Sequence, residues 1–300
     1  MSVKYRKWRE LSIEPSNIKF KHIKLISIVS YPPAQNDVVE SIVEMGNKQT
    51  KVFIKFERSM MSEIPTENKH LNILKKERYY QKIPNVLEFG NVKNKNYIVL
   101  EKLEGRRLSD ILKSENVNKE KYLIKYGKEL ALIHQIPNDC FNNAKQRVVN
   151  NIPNEETGIK INEELMPYLK YLEQHKILMN SETFIHGDFH YANILWKNGN
   201  INGVLDWEYS GKGFKEQDIA WACVLRPTQT FMNSLEDIKC FLKGYTTQGT
   251  FNCEKFKWCL INAYLHFYII NNTNDIYINK LKILILSKVI ICQLAKKNLD

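Results

Sequence analysis

The chain has 300 residues, of which 43% are hydrophobic and 26% charged. That is too much apolar sequence for a disordered chain, and more length than one ordinary core fills. The net charge is +11, and all of the excess lies in residues 1–150, with 28 basic against 17 acidic residues, while residues 151–300 carry 16 of each. The lysines are scattered, without interleaved aromatics, so the charge reads as a solvated surface and gives no nucleic-acid-binding patch.

The opening segment, MSVKYRKWRELSIEP, has no apolar leader stretch, and the expected location is cytoplasmic. Ile23 to Val29 is a strand candidate that Pro32-Pro33 breaks; Val38 to Met45 alternates again, Gly46-Asn47 turns, and Lys51 to Phe56 is a third strand. From Thr66 the period changes to that of a helix, with Thr66 as its cap, Leu71 and Leu74 on its apolar side and Pro84 as its end. Val86 to Gly90 and Tyr97 to Glu101 are two further strands around the turn Lys93–Asn96.

After Gly105 the chain turns helical. Leu108 to Leu112 starts one helix, and Lys121 to Ile136 is a better-patterned one that Pro137 ends. Asn138 to Asn162 is polar and loop-like, Leu165 to Met179 is helical, Thr183 to Asp206 is β-like, and Ile219 to Lys297 reads as several amphipathic helices. The apolar stretch Ile283 to Cys292, broken by Ser287 and Lys288, is far short of the roughly 20 residues of a membrane span. The six cysteines, Cys140, Cys223, Cys240, Cys253, Cys259 and Cys292, form no C-x-x-C pair and no zinc spacing, so they read as free and mostly buried thiols.

The segment Phe184 to Trp207, FIHGDFHYANILWKNGNINGVLDW, concentrates the chemistry. Phosphoryl transfer from a nucleotide needs a carboxylate to orient the acceptor hydroxyl and take its proton, and oxygen ligands for a divalent metal on the phosphates. Here Asp188 leaves an apolar strand, Asn193 follows five residues later, and a turn and a second apolar strand end at Asp206, 18 residues after Asp188. A hairpin is expected to bring the ends of those strands, and with them these three residues, together.

These residues resemble the aminoglycoside phosphotransferase family, which shares the protein-kinase-like fold with choline and methylthioribose kinases. The family pattern is matched by His186-Gly187-Asp188, Asn193-Ile194-Leu195 and Leu205-Asp206-Trp207, with Asp218-Ile219-Ala220 as a fourth element in order. The resemblance covers roughly residues 20 to 225 and implies an α+β, two-lobed kinase-like fold: residues 1–102 a nucleotide-binding lobe with a five-stranded antiparallel sheet and one helix, residues 103–300 a mainly helical catalytic and substrate-binding lobe. It implies Asp188 as catalytic base and Asn193 and Asp206 as ligands of Mg²⁺. His186 and Gly187 would shape the loop and Asp218 tether it. His190 reads as a packing or substrate-orienting side chain rather than a proton carrier.

The resemblance further implies a lysine on the third strand paired with a helix glutamate. Lys55, flanked by apolar residues, fits the first; Glu67 fits the second, with Glu63 in competition. Lys55 would contact the α- and β-phosphates of ATP or GTP, and the backbone from Glu101 to Leu103 would meet the base. One departure is plain: the loop Ser30 to Asp37 holds no glycine, so the glycine-rich phosphate cradle of protein kinases is missing.

The implied activity is transfer of the γ-phosphoryl group to a hydroxyl of a small molecule, with an aminoglycoside or related antibiotic as the leading acceptor and antibiotic resistance as the setting. The alternatives are a metabolite kinase of choline, ethanolamine, methylthioribose or homoserine type, and a non-catalytic spore-coat-like relative. HGD in place of HRD, and the lack of A-P-E after Asp206, weigh against a protein kinase. A cationic acceptor would need acids or aromatics in the second half; the candidates are Glu208, Glu216, Asp237 and Glu254 with Trp207, Tyr209, Trp221, Trp258, Tyr264 and Tyr268. No nucleic-acid or membrane partner is expected, and the oligomeric state is open.

Overall fold

In the computed structural model, residues 8–60, 62–145, 163–175, 177, 182–226, 229–270 and 279 are described. The stretch 146–162 of the expected loop, the end of the Leu165 to Met179 helix, the Ile283 to Cys292 stretch and the helical pattern up to Lys297 lie outside the described residues. Among the described residues the contacts divide the chain into two units, one holding the residues up to Gly105 together with Asn202–Ser210, the other Arg106–Ile201 and the residues from Gly211 onward. The short segment Asn202–Ser210 thus packs with the first unit, although it lies well inside the span 103–300.

The first unit is one antiparallel sheet and one helix. Strands β1 (Lys24–Ser30), β2 (Asp37–Met45), β3 (Lys48–Phe56), β4 (Val86–Val92) and β5 (Lys95–Glu101) lie in the order β1-β2-β3-β5-β4. Alternation in β2 sends Val39 and Val43 to one face, where Val52, Ile54 and Phe56 of β3 and Tyr97 and Val99 of β5 complete an apolar cluster. On β3 the residue between Ile54 and Phe56 is Lys55, which pairs across the sheet with Val38 on one side and Ile98 on the other. It therefore stands in the central strand.

Helix α1 (Ile64–Lys76) starts two residues before Thr66, because Pro65 sets the first turn; Glu63 occupies the cap position and Thr66 lies inside the turn, its hydroxyl donating to the Glu63 carboxylate at 3.3 Å. The helix stops at Lys76 rather than at Pro84, with Arg78 in the left-handed region at φ +56°. Glu67 falls in its first turn.

The second unit is mainly helical: α2 (Leu108–Ser114), α3 (Lys119–Ile133), α4 (Met166–Gln174), α5 (Lys215–Cys223), α6 (Leu235–Tyr245) and α7 (Cys253–Ile270). Helix α3 begins two residues earlier than its apolar pattern, where the Asn118 side chain accepts from the Lys121 N–H, and ends at Ile133. Helices α3 and α6 approach through glycines: a Cβ at Gly127 would lie 1.9 Å from the Phe241 carbonyl oxygen, and one at Gly244 would lie 1.9 Å from that of Ile124. Two short antiparallel pieces complete the picture, β6 (Thr183–Ile185) with β9 (Gly211–Gly213), and the hairpin of β7 (Ile194–Lys197) and β8 (Asn200–Val204).

Among the described cysteines none is bonded to another; Cys223, Cys240 and Cys259 are buried, Cys253 is half-buried and Cys140 is exposed. Burial pushes the Cys223 and Cys259 thiols up, which leaves them unreactive. Among the described residues no helix is long and apolar enough to cross a membrane.

Candidate active site

In the first unit the site is built around Lys55. A lysine on a central strand is removed from water, and its ammonium must find anions there. It finds three: Nζ lies 2.6 Å from Glu67, 2.8 Å from Asp206 and 2.9 Å from Glu208. Burial favours the neutral amine, but the charges of Asp206, Glu208 and Glu67 outweigh it and hold the lysine protonated well above its ordinary range. The Glu67 carboxyl is fully buried; burial and the neighbouring Glu208 and Asp206 charges push it up to about 7 against the pull of Lys55.

Glu67 also accepts the Trp207 N–H at 3.2 Å, which fastens the strap Asn202–Ser210 to α1. His70, one turn further along α1, meets the Ser210 hydroxyl at 2.9 Å; since that hydroxyl donates to the Trp207 carbonyl at 2.7 Å, the ring Nδ1–H is the donor to it. Asp206 has a left-handed backbone, φ +67°, rare for a residue with a side chain, and its side chain is 37% exposed, the most open of the three acids. The structure thus selects Glu67 over Glu63, whose backbone N–H instead donates to Glu208 at 3.2 Å.

Glu208 is where sequence reading and structure part. The sequence offers it as a candidate acid for a cationic acceptor in the second half, whereas it belongs to the lysine cluster, because its segment packs with the first unit. The left-handed backbone of Asp206 and the turn at Glu208 take this segment out of any strand pattern, so the sequence carried no periodic signal for the contact. Oxygens of Glu67, Asp206 and Glu208 lie within 4.8 Å of one another, and all three contact the Lys55 ammonium.

In the second unit the site is a loop held mostly by hydrogen bonds to its backbone. Strand β6 delivers His186, Gly187 and Asp188; Gly187 takes φ +78°, the turn that only glycine makes without strain. The Asp218 carboxylate, in the first turn of α5, accepts the His186 N–H at 2.8 Å and the Gly187 N–H at 3.1 Å, and lies 3.2 Å from His134 Nε2. His186 is buried, and its ring Nδ1 accepts the Asp188 N–H at 3.2 Å. Asn193 donates its amide to the Asp188 carbonyl at 3.0 Å, so its side-chain oxygen is not the atom that holds the loop. His190 caps the short turn before Asn193 by accepting the Ala192 N–H at 3.3 Å, and its other ring nitrogen lies 3.6 Å from Asp188 Oδ2.

Trp221 is a residue that the sequence offered only as one aromatic among many. Its indole N–H donates to Asp188 Oδ1 at 2.7 Å. Asp218 and Trp221 stand three apart on α5, so one helix face carries both the loop tether and a donor to the carboxylate. Arg226 stacks on Trp221 at 4.3 Å and on Phe267 at 4.0 Å. The other substrate acids are engaged within the protein: Glu216 accepts the Asn252 N–H at 2.8 Å, Asp237 pairs with Lys119 at 2.6 Å, and Glu254 accepts the Tyr171 hydroxyl at 3.4 Å. Trp207, Tyr209, Trp258, Tyr264 and Tyr268 are buried.

At the end of β5, the N–H of Glu101 donates to the Asn85 carbonyl and that of Lys102 to the Lys51 carbonyl, both at 3.0 Å. Both N–H groups are thus engaged within the protein.

The pattern described as a phosphotransferase enzyme family matches residues 41–239. A "Probable aminoglycoside 3'-phosphotransferase" of Lactococcus lactis is 33% identical over 51 residues, 17% of this chain, and the match spans only 20% of that relative's length. Among solved structures, LicA in complex with AMP superposes with a TM-score of 0.55 at 15% identity, covering 93% of this chain and 96% of its own. The choline kinase LicA from Streptococcus pneumoniae gives 0.52 at 14% identity over 90% and 94%, and the gentamicin complex of APH(2")-IIa gives 0.50 at 13% over 92% and 95%. At those identities the likeness is one of fold.

Proposed function

The chain belongs to the phosphotransferase enzyme family, and from that premise we propose that it transfers the γ-phosphoryl group of ATP or GTP to a hydroxyl group of a small molecule. The observation that carries this reading is Lys55, a buried ammonium fixed by Glu67 and Asp206 on the sheet where a nucleotide's phosphates need a cation.

Each side chain then has a task. Lys55 binds the α- and β-phosphates, and Glu67 keeps it in place. Asn193 and Asp206 would each offer an oxygen to magnesium, which would neutralise charge on the phosphates. Asp188 orients the acceptor hydroxyl with one carboxylate oxygen, while Trp221 holds the other. As the acceptor oxygen bonds to the γ-phosphorus, the bridging bond to the β-phosphate breaks, the hydroxyl proton passes to Asp188, and the nucleoside diphosphate leaves. His186, Gly187 and Asp218 keep the loop in shape, and the backbone from Glu101 to Leu103 receives the base.

An aminoglycoside or related antibiotic is the leading acceptor, in line with what the Lactococcus lactis relative is named for. A metabolite kinase is the second reading. Of its members a choline-type acceptor is disfavoured at Trp221, because the faces of Trp221 and Phe267 that would box a quaternary ammonium already carry the Arg226 guanidinium. The intact Lys55, Asp188, Asn193 and Asp206 set weighs against a non-catalytic relative.

The test is nucleotide consumption with Mg²⁺, with ATP and GTP in parallel, across aminoglycosides, macrolides, choline, ethanolamine, methylthioribose and homoserine. Turnover with one acceptor supports the reading and names the class. Lack of both turnover and nucleotide binding sinks it.

A further inference from the structure

The loop between β1 and β2 has the place of a phosphate cradle without its chemistry. Pro32 and Pro33 offer no backbone N–H, so a run of successive amide donors cannot form across them. What the loop has instead is a brace. The Asp37 carboxylate, whose residue is 1% exposed, accepts the Ser12 N–H at 2.7 Å and pairs with Arg58 at 2.8 Å and Arg9 at 3.0 Å. Burial pushes the Asp37 carboxyl up, but Ser12 and Arg58 together hold it below its ordinary value. Arg9 also donates to the carbonyls of Gln35 at 3.0 Å and Asn36 at 2.7 Å, so the end of the loop is fastened through its backbone.

From that fixed point the Asn36 side chain reaches the lysine cluster. It is 4% exposed, and its amide donates to Glu208 Oε1 at 2.6 Å. The same Oε1 lies 2.9 Å from Lys55 Nζ, while Oε2 accepts the Glu63 N–H. Three donors in three directions leave this carboxylate a single orientation.

We propose that Asn36 is a positioning residue for the phosphate tail of a nucleoside triphosphate: seated on the braced loop, it fixes Glu208, and through Glu208 it fixes where Lys55 presents its charge. This rests on the reading of Lys55 as the phosphate-binding lysine. The Asn36 amide is committed to Glu208, so Asn36 acts through that carboxylate rather than on the nucleotide. A glycine cradle holds phosphates by folding around them; this loop acts by keeping a competing carboxylate still. Without Asn36, Glu208 can follow the ammonium, and the phosphates must draw Lys55 away from a mobile anion.

The experiment is calorimetric binding of Mg·ATP and Mg·GTP, with adenosine and guanosine as phosphate-free probes, to the full chain and to Asn36→Ala, Glu208→Gln and the double variant. Asn36→Ala should bind the preferred triphosphate about tenfold more weakly, as loss of a hydrogen bond to a charged group predicts. The nucleoside affinity should stay unchanged, and in the Glu208→Gln background the same change should cost less than about twofold. Asn36→Asp, which keeps the shape but sets a second carboxylate against Glu208, should weaken the triphosphate at least as much. Wild-type affinity in Asn36→Ala, equal losses for nucleoside and triphosphate, or full additivity with Glu208→Gln would each overturn the positioning role and leave the kinase reading standing. An unaltered chain that binds neither triphosphate overturns both.

Discussion

The candidate residues of the first unit and those of the second are held in opposite ways. In the first unit three carboxylates surround one buried ammonium, so the geometry is set by charge. In the second, Asp188 sits on a loop whose N–H groups run to Asp218 and whose carboxylate takes a neutral indole donor. A charged cluster fails as a whole when one member is lost, because the others remain buried without compensation. A loop held by separate hydrogen bonds loses them one at a time, at about 0.5–1.5 kcal/mol each and somewhat more where a charge is involved. The first arrangement fixes a buried cation; the second holds one carboxylate oxygen through an indole while tying down the backbone beside it.

The sharpest way to expose this difference is to remove the two functional groups themselves. Asp188→Ala should reduce kcat by about 10³-fold, within the range of a lost general base, with little change in melting temperature. Full turnover in that variant would remove Asp188 from the mechanism. Lys55→Met should do the reverse in part: besides losing triphosphate affinity it should destabilise the protein by about 3 kcal/mol, because the buried Glu67 and Glu208 carboxylates lose their counter-charge. Adding Glu208→Gln should restore some of that stability, and a neutral effect on melting would show that the cluster is not held by charge.

The strap that carries Asp206 and Glu208 offers a pH test. His70 is buried against Ser210, and burial, helped by the nearby Lys69, lowers its pKa from 6.5 to about 4. The folded state therefore refuses a proton that the unfolded chain accepts between those values. The stability is fully present above pH 6.5 and is lost as pH falls toward 4, to an extent on the order of 2–3 kcal/mol. His70→Gln should flatten that part of the stability–pH curve; an unchanged slope would remove His70 as its source.

The smallest effect is expected on the loop side. Trp221→Phe keeps the ring packing and removes one donor from Asp188, which should lower kcat about tenfold with nucleotide KM unchanged. A changed nucleotide KM with unchanged kcat would show that the indole does not act through the base.

Local pattern went far in this chain because its clearest features are periodic or adjacent. The five strands were legible from period-two alternation, and their antiparallel arrangement follows the resemblance. The Asp188 to Asn193 spacing is local, and the structure joins the two through the Asn193 amide. The limits of α1 were misread because Pro65 starts a helix before Thr66 can cap it, and because Arg78 ends it ahead of Pro84.

By itself, then, the sequence determined the order of elements, the His186-Gly187-Asp188 loop with Asn193 close behind it, and a lysine on the third strand that had to find a partner. Only the tertiary structure decided that Glu208 joins Lys55, that Asn36 reaches Glu208 from 172 residues away, and that Trp221 rather than another aromatic meets Asp188. The physical reason is reach. Periodicity reports which face a side chain takes within its own element, whereas a buried charge is satisfied by whatever the folded chain brings within about 3 Å of it.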